Sequence, residues 1–157
     1  MIFTGFLFLV SSYTVRAQSV PSTISVYTTQ NLSFGAFIVG RSGGTVTVTP
    51  SGNRNATGGL ILMNSGAFHF PATIEIAAPL GTIISILNGP AIQLSGSNGG
   101  NATLRLGTSD KGSSFVTSVP ASQRTSVNIG GTLTVGSEQR NPAGSYSGTF
   151  SITFIQQ

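Results

Sequence analysis

The run Tyr146-Ser147-Gly148-Thr149-Phe150-Ser151-Ile152-Thr153-Phe154 near the C-terminus decides the fold class. Tyr146, Phe150, Ile152 and Phe154 share one parity, and Ser147, Thr149, Ser151 and Thr153 share the other. Successive side chains of a strand point to opposite faces, so this is the pattern of a half-buried strand with its apolar face on a core. Working back from it, the same period recurs. Thr45 to Thr49 spells TVTVT and ends in the turn Pro50-Ser51-Gly52-Asn53. Ala67 to Ile76 alternates through Phe68, Phe70, Ala72, Ile74 and Ile76, with Pro71 expected to mark an edge, a bulge or a split into two strands. Phe68, Phe70, Phe150 and Phe154 all fall on strand parity and are expected in the core. His69, between two of them, is expected to face solvent. Gly59 to Asn64 is a continuous apolar run, the pattern of a strand buried on both faces. Ser22 to Tyr27 alternates through Ile24 and Val26.

Ten to twelve such short runs, broken by Gly, Asn, Ser and Pro, argue for an all-β sandwich or barrel rather than a helical or α/β fold. The chain has 157 residues, enough for one domain with a real core. It has no cysteine, which excludes disulfides, thiolate metal sites and a cysteine nucleophile. Charged residues are only 6%, where an ordinary soluble domain has about 25%. A Ser/Thr/Gly/Asn exterior of this kind suits walls, coats and fibres. Seven basic and three acidic residues give +4. The basic residues are scattered singly, so the pI of 10.4 reflects scarce acids and is no nucleic-acid footprint.

Ile2 to Val10 is an apolar run of signal-peptide length, and Val15-Arg16-Ala17 suits cleavage after Ala17. The run is too short to span a bilayer as a helix. Residues 1–17 are therefore expected to be a signal peptide and residues 18–157 one sandwich domain, exported to the periplasm, cell surface or medium. No basic residue precedes the apolar run.

Chemistry finds little footing. Gly40-Arg41-Ser42-Gly43-Gly44 matches the G-x-S-x-G pattern, but a strand follows where a nucleophile elbow needs a helix. His69 is the single histidine, and Glu75, Asp110 and Glu138 are the only carboxylates, too few for a calcium cage or a glycosidase pair. Asn31-Leu32-Ser33, Asn55-Ala56-Thr57 and Asn101-Ala102-Thr103 match the glycosylation pattern, which is expected by chance at this composition. No catalytic, cofactor-binding or metal-binding residue is assigned, and no enzyme activity is expected.

Several motifs carry a resemblance: Gln30-Asn31-Leu32-Ser33-Phe34-Gly35, Gly44-Thr45-Val46-Thr47-Val48, Ser51-Gly52-Asn53-Arg54, Gly130-Gly131-Thr132-Leu133-Thr134-Val135-Gly136 and Asn141-Pro142-Ala143-Gly144-Ser145-Tyr146-Ser147-Gly148-Thr149-Phe150. From Gln30 to Gln157, outside the middle (about Thr82 to Ser126), the chain resembles a bacterial domain family of unknown function ending in a Pro-Ala-Gly-x-Tyr-x-Gly strand. That family is similar to spore coat protein U domains and to pilins of the archaic chaperone–usher class. The resemblance implies an immunoglobulin-like, pilin-like sandwich in a structural or adhesive surface protein, with a periplasmic chaperone and neighbouring subunits as partners. It also implies assembly by strand addition. Val20, Ile24 and Val26 are then the candidate donor-strand residues, and Tyr146, Phe150, Ile152 and Phe154 the candidate acceptor-groove strand. One departure stands. Only Gln18 to Asn31 precedes Leu32, and Pro21 lacks an N–H, so Ser22 to Tyr27 serves equally as the domain's own first strand. The alternative is then a self-contained binding module, for example for glycans, that does not polymerise.

Overall fold

A computed structural model describes residues 23–64 and 66–157. The expected leader, residues 1–17, and the candidate donor residue Val20 lie outside the described residues. The fold is all-β, with no helix and thirteen antiparallel strands among the described residues. They are β1 (Ser25–Gln30), β2 (Ser33–Phe34), β3 (Phe37–Val48), β4 (Arg54–Leu62), β5 (His69–Phe70), β6 (Ala72–Ala77), β7 (Ile83–Asn88), β8 (Ile92–Gly96), β9 (Asn101–Ser109), β10 (Ser114–Val116), β11 (Thr125–Val135), β12 (Tyr146–Ser147) and β13 (Ile152–Gln156).

The main sheet runs β1-β6-β11-β9-β8-β12, with β3 also on β11 and β4 on β3. A three-stranded sheet, β10-β7-β13, and a two-stranded ribbon, β2-β5, complete the molecule. Strand β11 is the axis. Its first half pairs with β6 (Val127 with Ile74), and its second half pairs with β3 (Leu133 with Val46) and β9 (Leu133 with Leu104). The core divides accordingly. One cluster gathers Val46, Val48, Leu104, Leu133 and Val135. The other sets Ile74, Ile76, Val127 and Ile129 of the main sheet against Ile84 and Ile86 of the three-stranded sheet. Leu32 and Phe150 pack against both clusters. The second cluster is thus closed between two sheets, as in a β-sandwich.

The alternation at Thr45–Thr49 is realised inside the longer β3, with Val46 and Val48 fully buried. The turn after it forms as expected, with Gly52 N–H on the Thr49 carbonyl at 2.9 Å and Gly52 at φ 83°. Pro71 separates β5 from β6, the split that its missing donor suggested.

Four readings need correction. The run Tyr146–Phe154 is not one strand. β12 pairs with β8 in the main sheet and β13 with β7 in the other, so the chain crosses between sheets at 148–151. The parity survives the crossing because Phe150 sits between the two clusters. Second, β4 is not buried on both faces. Leu60 is buried while Ile61, on the opposite face, is 63% exposed, and the strand pairs with β3 alone. Third, Phe68 is 77% exposed and Phe70 is exposed as well, with ring centroids 6.2 Å apart. Fourth, His69 is half-buried and stands opposite Phe34, so the parity is inverted. Alternation shows that two faces differ but not which one another layer covers, and nothing described covers the outer face of the β2–β5 ribbon.

Gly130 is where β3 and β6 meet end to end along β11. A Cβ there would collide with the Val48 carbonyl oxygen, whereas one at the neighbouring Gly107 would meet nothing nearer than 3.6 Å. Gly130→Ala is expected to lower stability by about 1–3 kcal/mol through overpacking, and Gly107→Ala by less than about 1 kcal/mol, the range of a tolerated volume change. Urea unfolding midpoints of the two variants check the contrast.

Candidate functional site

The first cluster lacks the cover that the second has. Above it opens a groove of about 780 Å³, with Phe34, Leu133 and Val135 in its lining. One side is Phe37-Ile38-Val39 of β3, and the segment Asn141–Tyr146 also borders it.

The β3 side is an unpaired strand edge. Residues Gly44–Val48 lie between β4 and β11, but β11 ends at Val135, opposite Gly44. From Val39 back to Phe37, β3 is paired with β4 only. Met63 N–H donates to the Ala36 carbonyl at 3.0 Å, in the register that sets Ile38 against Ile61. Antiparallel alternation then turns the main-chain groups of Ile38 toward β4 and those of Phe37 and Val39 the other way, where no described strand lies.

Arg54, at the start of β4, holds this edge in place. Its guanidinium donates to the carbonyls of Phe34 (3.0 Å), Ala36 (3.2 Å) and Met63 (2.8 Å). It thereby fixes the β2–β3 junction to the end of β4. The motif Ser51–Arg54 marked this residue, but nothing in the sequence assigned it a role. Phe37, Val39, Leu133 and Val135 were also missed as groove residues. Phe37-Ile38-Val39 has no alternation to separate a groove face from a core face.

The other border is built by Asn141-Pro142-Ala143-Gly144-Ser145-Tyr146. Asn141 is buried. Its Oδ1 accepts from Gly136 N–H (2.7 Å) and its Nδ2 donates to the Asn101 carbonyl (2.9 Å). The Tyr146 hydroxyl donates to the Pro142 carbonyl at 2.8 Å, four residues back. That bond closes the loop upon itself, in the manner of the tyrosine corner of sandwich proteins.

The sequence-selected residues fall in two places. Tyr146 lines the groove. Phe150, Ile152 and Phe154 line a smaller cleft of about 250 Å³ with Val26 and Ile74, where β1 of the main sheet faces β13. Val26 is 45% exposed, and Ile24 packs against the second cluster. Ser25–Gln30 is already paired with β6, and Arg124 secures it by an ion pair to Glu75 (2.9 Å) with its guanidinium 3.9 Å from the centre of the Tyr27 ring. Ser42 lies on β3 at a bulge, packed over Gly59, with no helix after it. The carboxylates are dispersed. Glu75 meets Arg124, Asp110 accepts from Asn128 N–H (2.8 Å), and Glu138 stands at the groove. Among the described residues no three metal-ligating side chains come together.

Replacing Arg54 by Met keeps most of the stem and removes the guanidinium's bonds to the three carbonyls. A loss of about 2–3 kcal/mol is expected, the range for charge-assisted bonds to partly buried acceptors. Tyr146→Phe, which loses a neutral hydroxyl shared between the Pro142 carbonyl and, at 3.3 Å, the Gly99 carbonyl, is expected to cost about 0.5–1.5 kcal/mol. Urea denaturation of both variants tests the ranking.

No curated protein and no solved structure matches the chain. A family model does, over residues 24–155, and the chain belongs to that family, described as a domain of unknown function (DUF4402).

Proposed function

We propose that the protein is an exported structural or adhesive subunit of a cell surface whose groove over the first core cluster takes an added strand from a neighbouring subunit, after a periplasmic chaperone has held it. The observation that carries this reading is the coincidence of two features in one place. An apolar groove and an unpaired main-chain edge lie side by side at Phe37–Val39. In strand addition the main chain supplies affinity and pockets for alternate side chains supply register, so both are required together. The uncharged, hydroxyl-rich composition and the resemblance of the C-terminal motif to archaic pilins support the same reading. Because Ser25–Gln30 is held on its own sheet, a donor reaching a neighbour is drawn from residues preceding it.

A second reading rests on a different observation. Phe68 and Phe70 stand exposed and side by side next to a loop, the arrangement by which a monomeric module stacks against the apolar face of a sugar ring.

Light scattering on the chain starting at Gln18 separates the two. The strand-addition reading expects a ladder of masses, suppressed by Val39→Pro, which removes an N–H directed away from β4 and leaves the β3–β4 bonds intact. A single monomeric mass at every concentration contradicts it. Loss of glycan retention in Phe68→Ala, with the chain monomeric, then supports the binding module.

A further inference from the structure

An asparagine followed by glycine is open to spontaneous deamidation, because a residue with no side chain lets its amide nitrogen approach the asparagine Cγ. The chain has two such pairs, Asn88-Gly89 and Asn98-Gly99. Both asparagines are exposed, but the fold holds the two pairs differently. Asn88 ends β7, opposite Ile152 of β13. Gly89 N–H donates to the Ser151 carbonyl at 2.9 Å, and Ser151 fills the space where a Cβ of Gly89 would stand. Turning that amide toward Asn88 means peeling the end of β7 from the neighbouring chain. Asn98-Gly99 stands at the tip of the β8–β9 turn. Gly99 N–H is held only within the turn, by the Gly96 carbonyl at 3.1 Å, and a Cβ at Gly99 would meet nothing within 4 Å. That bond is neutral and sits at an exposed tip, so it opens at little cost.

The same turn supports the border of the groove. Ser97 N–H donates to the Ser145 carbonyl (2.9 Å), and Ser145 N–H donates to Ser97 Oγ (3.1 Å). Asn98 Nδ2 donates to the Ala143 carbonyl at 2.7 Å, and the Tyr146 hydroxyl reaches the Gly99 carbonyl at 3.3 Å. Ala143, Ser145 and Tyr146 all line the groove. The amide group that deamidation removes from Asn98 is therefore one that ties this turn to the border.

We infer that Asn98 is a site of spontaneous deamidation, and that its conversion unlatches the Asn141–Tyr146 border of the groove. The Gly99 nitrogen attacks Asn98 Cγ. A bond from that nitrogen to Cγ forms, the Cγ–Nδ2 bond breaks, and the amide proton of Gly99 leaves with Nδ2 as ammonia. The cyclic imide that results takes up water. Opening at Cγ leaves an aspartate. Opening at the main-chain carbonyl leaves an isoaspartate, with the main chain routed through the side-chain carbon. No oxidant or reductant takes part. A carboxylate accepts hydrogen bonds but donates none, so the Ala143 carbonyl loses its donor and faces a negative charge. In the isoaspartate the turn is also longer, which moves the Gly99 carbonyl relative to Tyr146. The release needs no occupant in the groove and is the same whichever partner the groove takes.

Peptide mass spectrometry with fragmentation, on the whole chain aged in warm, mildly alkaline buffer, tests the first step. In the folded chain Asn98 is expected to convert about five-fold faster than Asn88 or more, because a turn tip opens more readily than a paired strand end. In urea, where neither is held, the two rates should converge. Amide hydrogen exchange tests the second step, on Asn98→Asp and on the aged chain separated by its added negative charge. The Ser97 and Ser145 amides should exchange about five-fold faster than in the fresh parent, the change expected for loss of one neutral bond. The Val127 and Leu133 amides of β11 should stay as protected as before. Asn88 converting as fast as Asn98 in the folded chain, or Asn98 failing to convert there, overturns the proposal. So does exchange at Ser97 and Ser145 that is unchanged in the aged chain.

Discussion

Strand β11 has to floor two cores at once, and the rest of the molecule is arranged around that requirement. Its first half supplies Val127 and Ile129 to the second cluster, and its second half supplies Leu133 and Val135 to the first. To do so it accepts β6 and β3 end to end along one edge and β9 along the other. At the point where they converge stands Gly130, and the Val48 carbonyl occupies the space a Cβ would need there. The remaining strands then have to cover two apolar floors that lie along one continuous strand.

They cover them unequally. Over the second cluster lie β7, β10 and β13, and Ile76, Val127 and Ile129 of the main sheet are fully buried beneath them. Over the first lie Leu32, Phe34, Tyr146, Phe150 and the end of β4, and beside them the groove stays open. Fully burying one Val, Leu or Phe side chain is worth about 1.5–3 kcal/mol. Completing the burial of Phe37, Val39 and Tyr146 is therefore worth a few kcal/mol, a sizeable part of a domain's usual 5–15 kcal/mol. An incoming strand would gain that burial and the bonds to Phe37 and Val39 together. The side chains bordering the groove are meanwhile fixed by polar contacts that need no occupant: Arg54 on three carbonyls, Asn141 on Gly136 and Asn101, and Tyr146 on Pro142.

Much of the fold was legible because period-2 alternation is local. Thr45–Thr49, Ala72–Ile76 and the C-terminal parity all survive in the structure, and Pro71 divides its strand as its missing donor requires. The failures share one cause. Alternation says that two faces differ, but the partner layer is set by distant residues. Phe68 and Phe70 carried the parity of a core face, yet the ribbon they belong to has nothing over it. Ile61 sat in an unbroken apolar run, yet its face of β4 is exposed. Tyr146 to Phe154 looked like one strand, and only the pairing of β12 with β8 and of β13 with β7 reveals the change of sheet. The groove was half-legible. Its motif residues, Asn141 to Tyr146, stood out, while Phe37 and Val39 did not, because an unpaired edge has no signature in sequence. Of the candidate donor residues, Val26 and Ile24 belong to or adjoin β1, and Val20 lies outside the described residues.

The central claim is that the Phe37–Val39 edge is open in the lone chain and is built to receive a strand. Amide hydrogen exchange, read residue by residue in the monomer and in the assembled state, tests it most directly. The account predicts that the Phe37 and Val39 amides exchange rapidly in the monomer while that of Ile38, directed at β4, is protected, and that both become protected on assembly. Protection of Phe37 and Val39 already in the monomer, or no change on assembly, would contradict it.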